Sequence, residues 1–208
     1  MEIYIEQAEK HIQINEYHAN RMEDFRSFWK DFQSKYIGFT IDFCYHNCSV
    51  PIEFMMDINA EVLESCIETR LSHEHFKPTV ELEPTIVTEE NFIEFARLHD
   101  EAYPVTSGMY WTSERIEKDL NHWLIYMYYS NYLLMRIGSD TSEIYTIEVK
   151  NKNVGETLIS KASEYAFRTG KTGVLCMVDD NKQTDLEMLQ SVGFITCGKY
   201  ICYRAIIK

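Results

Sequence analysis

The stretch that decides the fold reads IYTIEV at 144–149, KNKNVGETLISKASEYAFRTG at 150–170, KTGVLCMVDDN at 171–181 and KQTDLEMLQSVGF at 182–194. Its apolar residues first alternate, as in a strand, and then recur at helical spacing. A short apolar run at 173–178 is typical of a buried strand, and Gly170 stands where a glycine ends a helix. The stretch therefore predicts strand, turn, helix, strand and helix in that order.

The turn after Val149 combines a polar run, Lys150 to Asn153, with Gly155, and we expect the helix to begin at Val154. The first amides of a helix lack intrahelical partners and lie at the positive end of its dipole, so such a turn can bind an anion. Many α/β proteins place a glycine there only for close packing. Both interpretations stay open on the turn alone.

This order of elements, with Gly-Phe closing the stretch, resembles the GNAT superfamily of acetyl-CoA-dependent N-acetyltransferases, whose turn reads Arg/Gln-x-x-Gly-x-Gly/Ala before an apolar pair. If the pair is Leu158-Ile159, Gly155 falls on the second glycine, Asn153 on the first and Lys150 on the Arg/Gln. Asn is a tolerable substitute for glycine because it adopts positive φ more readily than other residues. The resemblance covers about Glu83 to Lys208.

The match also has departures. The loop between the strand and Lys150 is shorter than usual, and Leu189 stands where the family commonly has a tyrosine that acts as general acid. Asn181 resembles the asparagine that contacts the cofactor arm. No comparable match is found for Met1 to Leu82.

The resemblance implies a C-terminal GNAT-like domain, 83–208, with a mixed, mostly antiparallel sheet flanked by helices. The local helix and strand patterns before it indicate a smaller N-terminal α/β segment, 1–82, so the expected fold class is α/β (α+β). The resemblance also implies acetyl-CoA as co-substrate. It places thioester contacts along Ile147, Glu148 and Val149 and a cofactor-arm contact on Asn181. The expected pyrophosphate contacts are the cation of Lys150 and the start of the helix, Asn153, Val154, Gly155, Glu156 and Thr157.

Acetyl transfer requires an amine to lose a proton, a thiolate to gain one and an oxyanion to find a donor. Glu148 and Glu143 are candidate bases because burial in a strand raises the pKa of a carboxyl group. The alternative is that both are solvent-facing strand residues. Tyr200 and Tyr203 are candidate acids that would replace the missing helix tyrosine.

Charge and composition exclude several classes of protein. The net charge is −13, and both halves are acidic, with −8 before Glu83 and −5 from there on, which argues against nucleic-acid binding. An acidic surface favours a cationic substrate such as an amine. No stretch has the ~20 apolar residues of a membrane helix, and no signal peptide is visible, so we expect a cytoplasmic protein.

The cysteines, six in all, are expected to be reduced and mostly buried. Cys44, His46 and Cys48, with His73 or His75, could offer metal ligands. The spacing is not that of a zinc motif, so no metal is expected.

Apolar spacing predicts a long helix from Gln7 to Gln33, a strand over 36–43 and a helix over 62–71. This segment could complete the site, cover the second domain or mediate a dimer contact. A boundary is expected at 77–84, with a strand-like run at 79–82.

Further along, Glu83–Val87 is predicted to be a strand and Thr88 to cap a helix that Pro104 stops. Thr112 or Ser113 is predicted to cap a second helix, and 123–129 is predicted to pair with 132–137 as a hairpin. The loop 103–111 resembles the family's acceptor-binding loop, although an ordinary aromatic surface loop would look the same. A second hairpin is expected to turn at Gly198-Lys199.

Three functions are compatible with these patterns. The first is an N-acetyltransferase that acts on a primary amine of a small molecule or peptide. The second is a degenerate protein of the same fold that binds a CoA-type ligand or a protein partner without catalysis. The third is a purely structural module. Cofactor binding, followed by thiol release with amines, separates them.

Overall fold

A computed structural model describes residues 1–79, 82–104 and 110–208, and the chain packs as two compact units. Unit 1 comprises Met1–Ile67 with Gly198–Lys208, and unit 2 comprises Glu68–Cys197. The boundary predicted at Leu82 divides the chain differently from this packing. Within the described ranges, no helix is long and apolar enough to cross a membrane.

Unit 1 has the strand order β1-β2-β3-β10, with β2 and β3 parallel and the other two pairs antiparallel. Its elements are β1 (Glu2–Glu6), β2 (His11–Asn15), α1 (Met22–Lys35), β3 (Thr40–His46), α2 (Ile52–Asp57) and the last strand, β10 (Ile195–Ile206), which begins in unit 2. Phe25 of α1 and Phe43 of β3 both pack on Phe54 of α2, with ring centroids 5.1 and 5.7 Å apart. Aromatic packing of helices on one sheet face therefore forms the core of this unit.

The helix predicted from Gln7 is wrong before Met22, because residues 2–15 form the hairpin β1–β2. Lys10, in the connection, has φ 50°, and the isoleucines of β2 are fully buried while their neighbours are not. That alternation has the period of a strand. The apolar spacing that suggested a helix arose because strand and turn residues happened to fall three and four apart.

The helix predicted over 62–71 is also wrong, since these residues belong to strand β4 (Glu61–Ser72). Thr69, fully buried, donates its hydroxyl to the carbonyl oxygen of Cys176 at 2.9 Å. A contact with a residue 107 positions away decides the conformation here. Strand preference depends on such neighbours more than on the local sequence.

Unit 2 contains the predicted order of elements. They are β5 (Thr85–Ile86), α3 (Phe92–Ala102), α4 (Ser113–Lys118), β6 (Trp123–Tyr128), β7 (Asn131–Arg136), β8 (Thr141–Glu148), α5 (Lys152–Arg168), β9 (Gly173–Asp179) and α6 (Gln183–Val192). The strand order is β4-β9-β8-β7-β6-β5; β5 to β8 pair antiparallel in succession, and β8 and β9 pair parallel. This mixed, mostly antiparallel sheet with flanking helices confirms the predicted fold class.

Several local predictions in unit 2 are confirmed. Thr112 caps α4, with its hydroxyl accepting from the amide of Arg115 at 3.4 Å. The hairpin β6–β7 forms with Tyr128 opposite Asn131. The strand before α3 is shorter than predicted, and the expected run at 79–82 lies largely outside the described residues.

The hairpin predicted at Gly198-Lys199 is wrong, because β10 runs through both residues without a turn. Gly198 instead allows the Asn47 side chain to approach the backbone closely, because a Cβ at residue 198 would lie 1.8 Å from the Oδ1 of Asn47. That oxygen accepts from the amide of Lys199 at 2.6 Å. The glycine therefore admits a side chain from the end of β3 and does not reverse the chain.

Candidate active site

The parallel strands β8 and β9 are paired only at their beginnings. Their register runs from Thr141 opposite Gly173 to Ile144 opposite Cys176. Beyond that pair, β8 continues to Glu148 and β9 to Asp179. The amide and carbonyl groups that the second halves of the strands turn towards each other are thus available to a ligand lying between them.

A bulge in β8 explains where this separation begins. Opposite β7, Leu134 pairs with Thr146 and Met135 with Ile144, so Tyr145 is the extra residue. A β-bulge bends its strand and increases the local twist. The bulge lies directly after the last pair with β9, so β8 bends at the residue where the two parallel strands part.

Helix α5 begins just beyond the end of β8, with Lys152 as its first residue, which is two residues earlier than predicted. Asn151 caps it by accepting the amide of Asn153 at 2.9 Å, and its carbonyl accepts the amide of Gly155 at 3.1 Å. Within the described chain, no hydrogen bond is seen to the amides of Lys152 and Val154. These two amides remain available at the positive end of the helix.

Lys150, the residue before the Asn151 cap, is held in place by Asn131 at the start of β7. Asn131, 9% exposed, accepts the amide of Lys150 at 2.8 Å and donates to the carbonyl of Tyr128 at 2.9 Å. This carboxamide ties the end of β8 to the β6–β7 turn. The Lys150 side chain is exposed, and that of Lys152 lies 3.5 Å from Glu187. Two cations therefore flank the start of α5.

The residues of the first turns of α5 that were predicted to contact the cofactor differ in how buried they are. Gly155 is buried, and a Cβ on it would lie 2.2 Å from the Sδ of Met188 in α6. Thr157 is 2% exposed and donates its hydroxyl to the carbonyl of Asn153 at 2.9 Å. Packing against α6 thus explains the glycine, and neither Gly155 nor Thr157 offers a free side-chain group. Glu156 is half-buried.

At the end of β8, Glu148 forms the most prominent polar contact of the site. The hydroxyl of Tyr103, at the C-terminal end of α3, donates to its Oε1 at 2.5 Å. Burial and the neighbouring carboxylate raise the pKa of Tyr103 well above its usual value, so its proton is retained. Burial likewise raises the pKa of Asp185 in α6, and the charge of Glu148 adds to the effect. An acidic cluster therefore lies where β8 and β9 have parted.

A buried histidine of α3 is hydrogen-bonded to the strand that pairs with β8. His99, 1% exposed, has Nδ1 3.1 Å from the hydroxyl of Tyr132 and Nε2 2.8 Å from the carbonyl of Trp111. Both ring nitrogens are thus engaged. Tyr132 is the register partner of Glu148, so the histidine supports the strand pair that carries the carboxylate.

The other candidate base, Glu143, lies before the bulge. Burial raises its pKa, while a hydrogen bond from the Tyr145 hydroxyl and the charge of Arg136 oppose that rise. Tyr145 itself has a pKa raised to about 12, chiefly by burial. Arg136 lies over the ring of Trp111, with its guanidinium carbon 4.6 Å from the ring centroid. Glu143 therefore lies beside a largely aromatic surface.

The remaining predicted residues lie in several places. Tyr200 and Tyr203 belong to unit 1, where Tyr200 donates to the Sγ of Cys44 at 3.2 Å and Tyr203 is paired with Phe43. Ile147 pairs with Leu133, and Val149 packs against Gly155. Asn181 is exposed in the β9–α6 connection, and Leu189 is fully buried. Glu148 and the start of α5 thus come together in unit 2, as the resemblance implies.

Sequence reasoning missed two residues of this site. Asn151 is of a type favoured at helix N-caps, and its place one residue before the helix was a usable signal. Tyr103 had been noted only as the start of a loop, of which 105–109 lie outside the described residues. Nothing in the sequence indicated that it would meet Glu148.

The described part of the chain holds no cluster of three or more His, Cys, Asp or Glu side chains that could bind a metal ion. Of the cysteine motif considered above, Cys44 lies beside Cys202, with their Sγ atoms 3.2 Å apart, and His46 packs on the ring of Tyr200. The motif therefore does not gather into a metal centre in these residues.

Comparison with solved structures shows what the fold resembles, although no family model and no curated protein matches the sequence. A GCN5-related N-acetyltransferase from Sphaerobacter thermophilus has a TM-score of 0.72 at 12% identity, covering 99% of this chain and 76% of that protein. A GNAT-family acetyltransferase from Colwellia psychrerythraea has a TM-score of 0.66 at 9% identity, covering 98% of this chain and 80% of that protein.

A tandem GNAT protein from the clavulanic acid biosynthesis pathway has a TM-score of 0.61 at 11% identity, covering 96% of this chain and 76% of that one. The similarity thus extends over nearly the whole chain, including the first 82 residues, for which the sequence showed no match. The chain has a fold similar to that of the GCN5-related N-acetyltransferases, at sequence identities of 9 to 12%.

Proposed function

We propose that the chain is an N-acetyltransferase that moves an acetyl group from acetyl-CoA to a primary amine of a small molecule or peptide. One observation carries the proposal: β8 and β9 part at the bulge at Tyr145, and α5 begins directly beyond the opening. An extended thioester with a diphosphate at its far end matches an opening between strands that leads to a helix N-terminus.

The residues present fit the diphosphate of such a co-substrate. The amides of Lys152 and Val154 are the donors for its oxygens, and the Lys150 and Lys152 side chains supply positive charge. Hydrogen bonds to a charged group contribute about 1.5–3 kcal/mol each. The Asn151 cap keeps the helix start formed before the ligand arrives. When bound, acetyl-CoA supplies the activated acetyl group.

In this proposal, the backbone of Ile147 to Val149 lies along the thioester and offers the amide that stabilises developing negative charge on oxygen. Glu148 accepts the proton that the amine loses. Tyr103 holds the carboxylate in place through its hydrogen bond, and its raised pKa keeps its own proton on oxygen. Tyr103 therefore positions the base and does not replace the general acid that is absent at Leu189; the leaving thiolate takes up the proton that Glu148 has accepted from the amine.

An ammonium group is the acceptor that these charges favour. Glu148 and Asp185 influence each other electrostatically, and the whole chain carries a net charge of −13. Negative charge at the opening attracts a cationic amine and raises its local concentration. Glu143 lies earlier in β8, before the bulge, where it is hydrogen-bonded to Tyr145, and it is the second candidate to receive a proton.

A direct test measures acetyl-CoA binding and turnover together. The melting temperature of the protein is recorded with increasing acetyl-CoA, and free thiol is then measured with a panel of amines, diamines, amino acids and peptides. The proposal predicts stabilisation that saturates with ligand and thiol release with at least one amine. Stabilisation without thiol release across the panel would support the non-catalytic alternative, and an unchanged melting temperature at millimolar ligand would contradict both.

A further inference from the structure

Strands β3 and β10 of unit 1 carry chemically active side chains opposite one another. Alternate residues form three cross-strand pairs: Asp42 with Arg204, Cys44 with Cys202, and His46 with Tyr200. The first pair is held by two hydrogen bonds of 2.7 Å, and the rings of the third are 4.8 Å apart. The two thiols lie between a salt bridge and a ring pair that hold the strands in register.

The hydrogen-bond pattern shows which kind of pair the cysteines form. The carbonyl of Cys44 accepts the amide of Glu16 at 2.9 Å, on the side of β2. The amide of Asn47, just after β3, instead donates to the carbonyl of Lys199 in β10. The backbone N–H and C=O groups of the odd-numbered residues of β3 therefore point towards β10, and those of the even-numbered residues point towards β2. Cys44 and Cys202 are therefore a non-hydrogen-bonded pair. Such pairs have Cα atoms about 4.5 Å apart, within the range that a disulfide spans.

The surroundings of the two thiols distinguish them. Both are 2% exposed, with their Sγ atoms 3.2 Å apart. Cys44 also accepts the hydroxyl of Tyr200 at 3.2 Å. Hydrogen bonds from Cys202 and Tyr200 lower the pKa of Cys44, whereas the neighbouring thiol and burial raise that of Cys202. Because the Tyr200 hydroxyl bonds to its sulfur, we assign Cys44 as the attacking thiolate, with Cys202 as the adjacent thiol.

We propose that Cys44 and Cys202 are a redox-active pair that forms a reversible disulfide on exposure to a hydroperoxide. The thiolate of Cys44 attacks the peroxide oxygen, which gives a sulfenic acid and releases water or an alcohol after protonation. The thiol of Cys202 then attacks the sulfenic sulfur, forms the S–S bond and releases water. Two thiols lose two electrons and two protons to the peroxide, and a dithiol reductant reverses the change.

This pair belongs to unit 1, whereas the proposed acetyl-transfer site belongs to unit 2. The pair also gives Tyr200 a role that acetyl transfer does not: its hydroxyl stabilises negative charge on Cys44. Cys44 and Cys202 are 158 residues apart in the chain, so a disulfide between them would close a long loop. Oxidation would therefore tie the last strand to β3 and raise resistance to unfolding.

The test treats the folded, reduced full chain with hydrogen peroxide, a probe small enough for buried thiols. Oxidised protein is unfolded, its free thiols are counted, and tryptic peptides are analysed by mass spectrometry with and without reduction. The proposal predicts that four of the six thiols remain. It also predicts a peptide covering 200–204, with Cys202 as its one cysteine, linked to the peptide covering 36–70.

The second peptide also contains Cys48 and Cys66, so two variants assign the bond. Cys44→Ser should abolish the linked peptide, and the matched control Cys48→Ser should retain it. Tyr200→Phe should slow its formation several-fold. Six free thiols after treatment, a link from Cys202 to a different cysteine, or irreversible oxidation of Cys44 without a link would each overturn the proposal. The analysis of the unaltered chain decides it even if Cys44→Ser does not fold.

Discussion

Replacing Lys152 by proline isolates the backbone contact on which the proposed cofactor site depends. Lys152 is the first residue of α5, and Asn151 before it has φ −140° and ψ 131°. Proline is well tolerated at the first helical position, where its fixed φ suits the helix and the missing N–H had no intrahelical partner. The extended conformation of Asn151 is also the one that a following proline requires. The fold should therefore be kept while one donor is removed.

The expected loss of affinity follows from that donor. An N–H bonded to a charged phosphate oxygen contributes about 1.5–3 kcal/mol, which corresponds to roughly a 10- to 150-fold change in Kd. The substitution also removes an exposed ammonium group 3.5 Å from Glu187. An exposed ion contributes about 0.2–1 kcal/mol. Lys152→Ala, which keeps the amide but loses the charge, is the matched control, and it should weaken binding by no more than ~5-fold.

Isothermal titration with acetyl-CoA measures both variants, and far-ultraviolet circular dichroism with ligand-free melting checks that each is folded. Lys152→Pro should melt close to the unaltered protein and bind at least ~10-fold more weakly than Lys152→Ala. Equal affinities for the two variants would show that the amide of Lys152 does not contact the ligand. The proposed position of the diphosphate would then be wrong.

Three further outcomes are expected. Tyr103→Phe removes the hydrogen-bond donor to Glu148. It should lower kcat by about 10- to 100-fold, as the loss of a hydrogen bond to a charged group does, and leave the affinity for acetyl-CoA in titrations unchanged. Weaker acetyl-CoA binding would place Tyr103 in the cofactor site instead. Glu143 has a raised pKa, so the folded state binds its proton more tightly than the unfolded state does, and stability is lost as pH rises through the folded pKa. Glu143→Gln should therefore raise the melting temperature at neutral pH and change it less below about pH 4, under the ordinary glutamate pKa; an equal effect at both pH values would refute this. Gly155→Ala should destabilise by about 1–2 kcal/mol in denaturant unfolding, because overpacking against Met188 outweighs the helix preference of alanine. The loss should shrink in a Met188→Ala background, and additive effects would contradict that contact.

Local patterns were enough to predict the part of the fold that positions the site. Strand β8, helix α5, strand β9 and helix α6 each have a clear period, and glycines mark helix ends at Gly170 and Gly193, both at positive φ. These signals are local, so they do not depend on the rest of the chain. The β6–β7 hairpin was predicted for the same reason.

The sequence misled where long-range pairing decides the structure. Residues 62–71 carry apolar spacing compatible with a helix, yet they form β4, where Thr69 bonds to Cys176. The bulge at Tyr145 depends on the register of β7 against β8, which no local pattern shows. The contact between Tyr103 and Glu148 joins residues 45 apart in the chain, so no local pattern shows it either. The backbone elements around the candidate site were therefore predicted, whereas the side-chain contacts seen there were not.

The central claim is that acetyl-CoA lies between the parted ends of β8 and β9, with its diphosphate at the start of α5. Amide hydrogen exchange of the folded protein, followed by mass spectrometry with and without saturating acetyl-CoA, tests this most directly. Ligand should slow exchange in peptides covering 145–154 and 177–181, and Lys152→Pro should reduce that protection. Unchanged exchange in both segments at saturating ligand, or protection confined to other parts of the chain, would contradict the account.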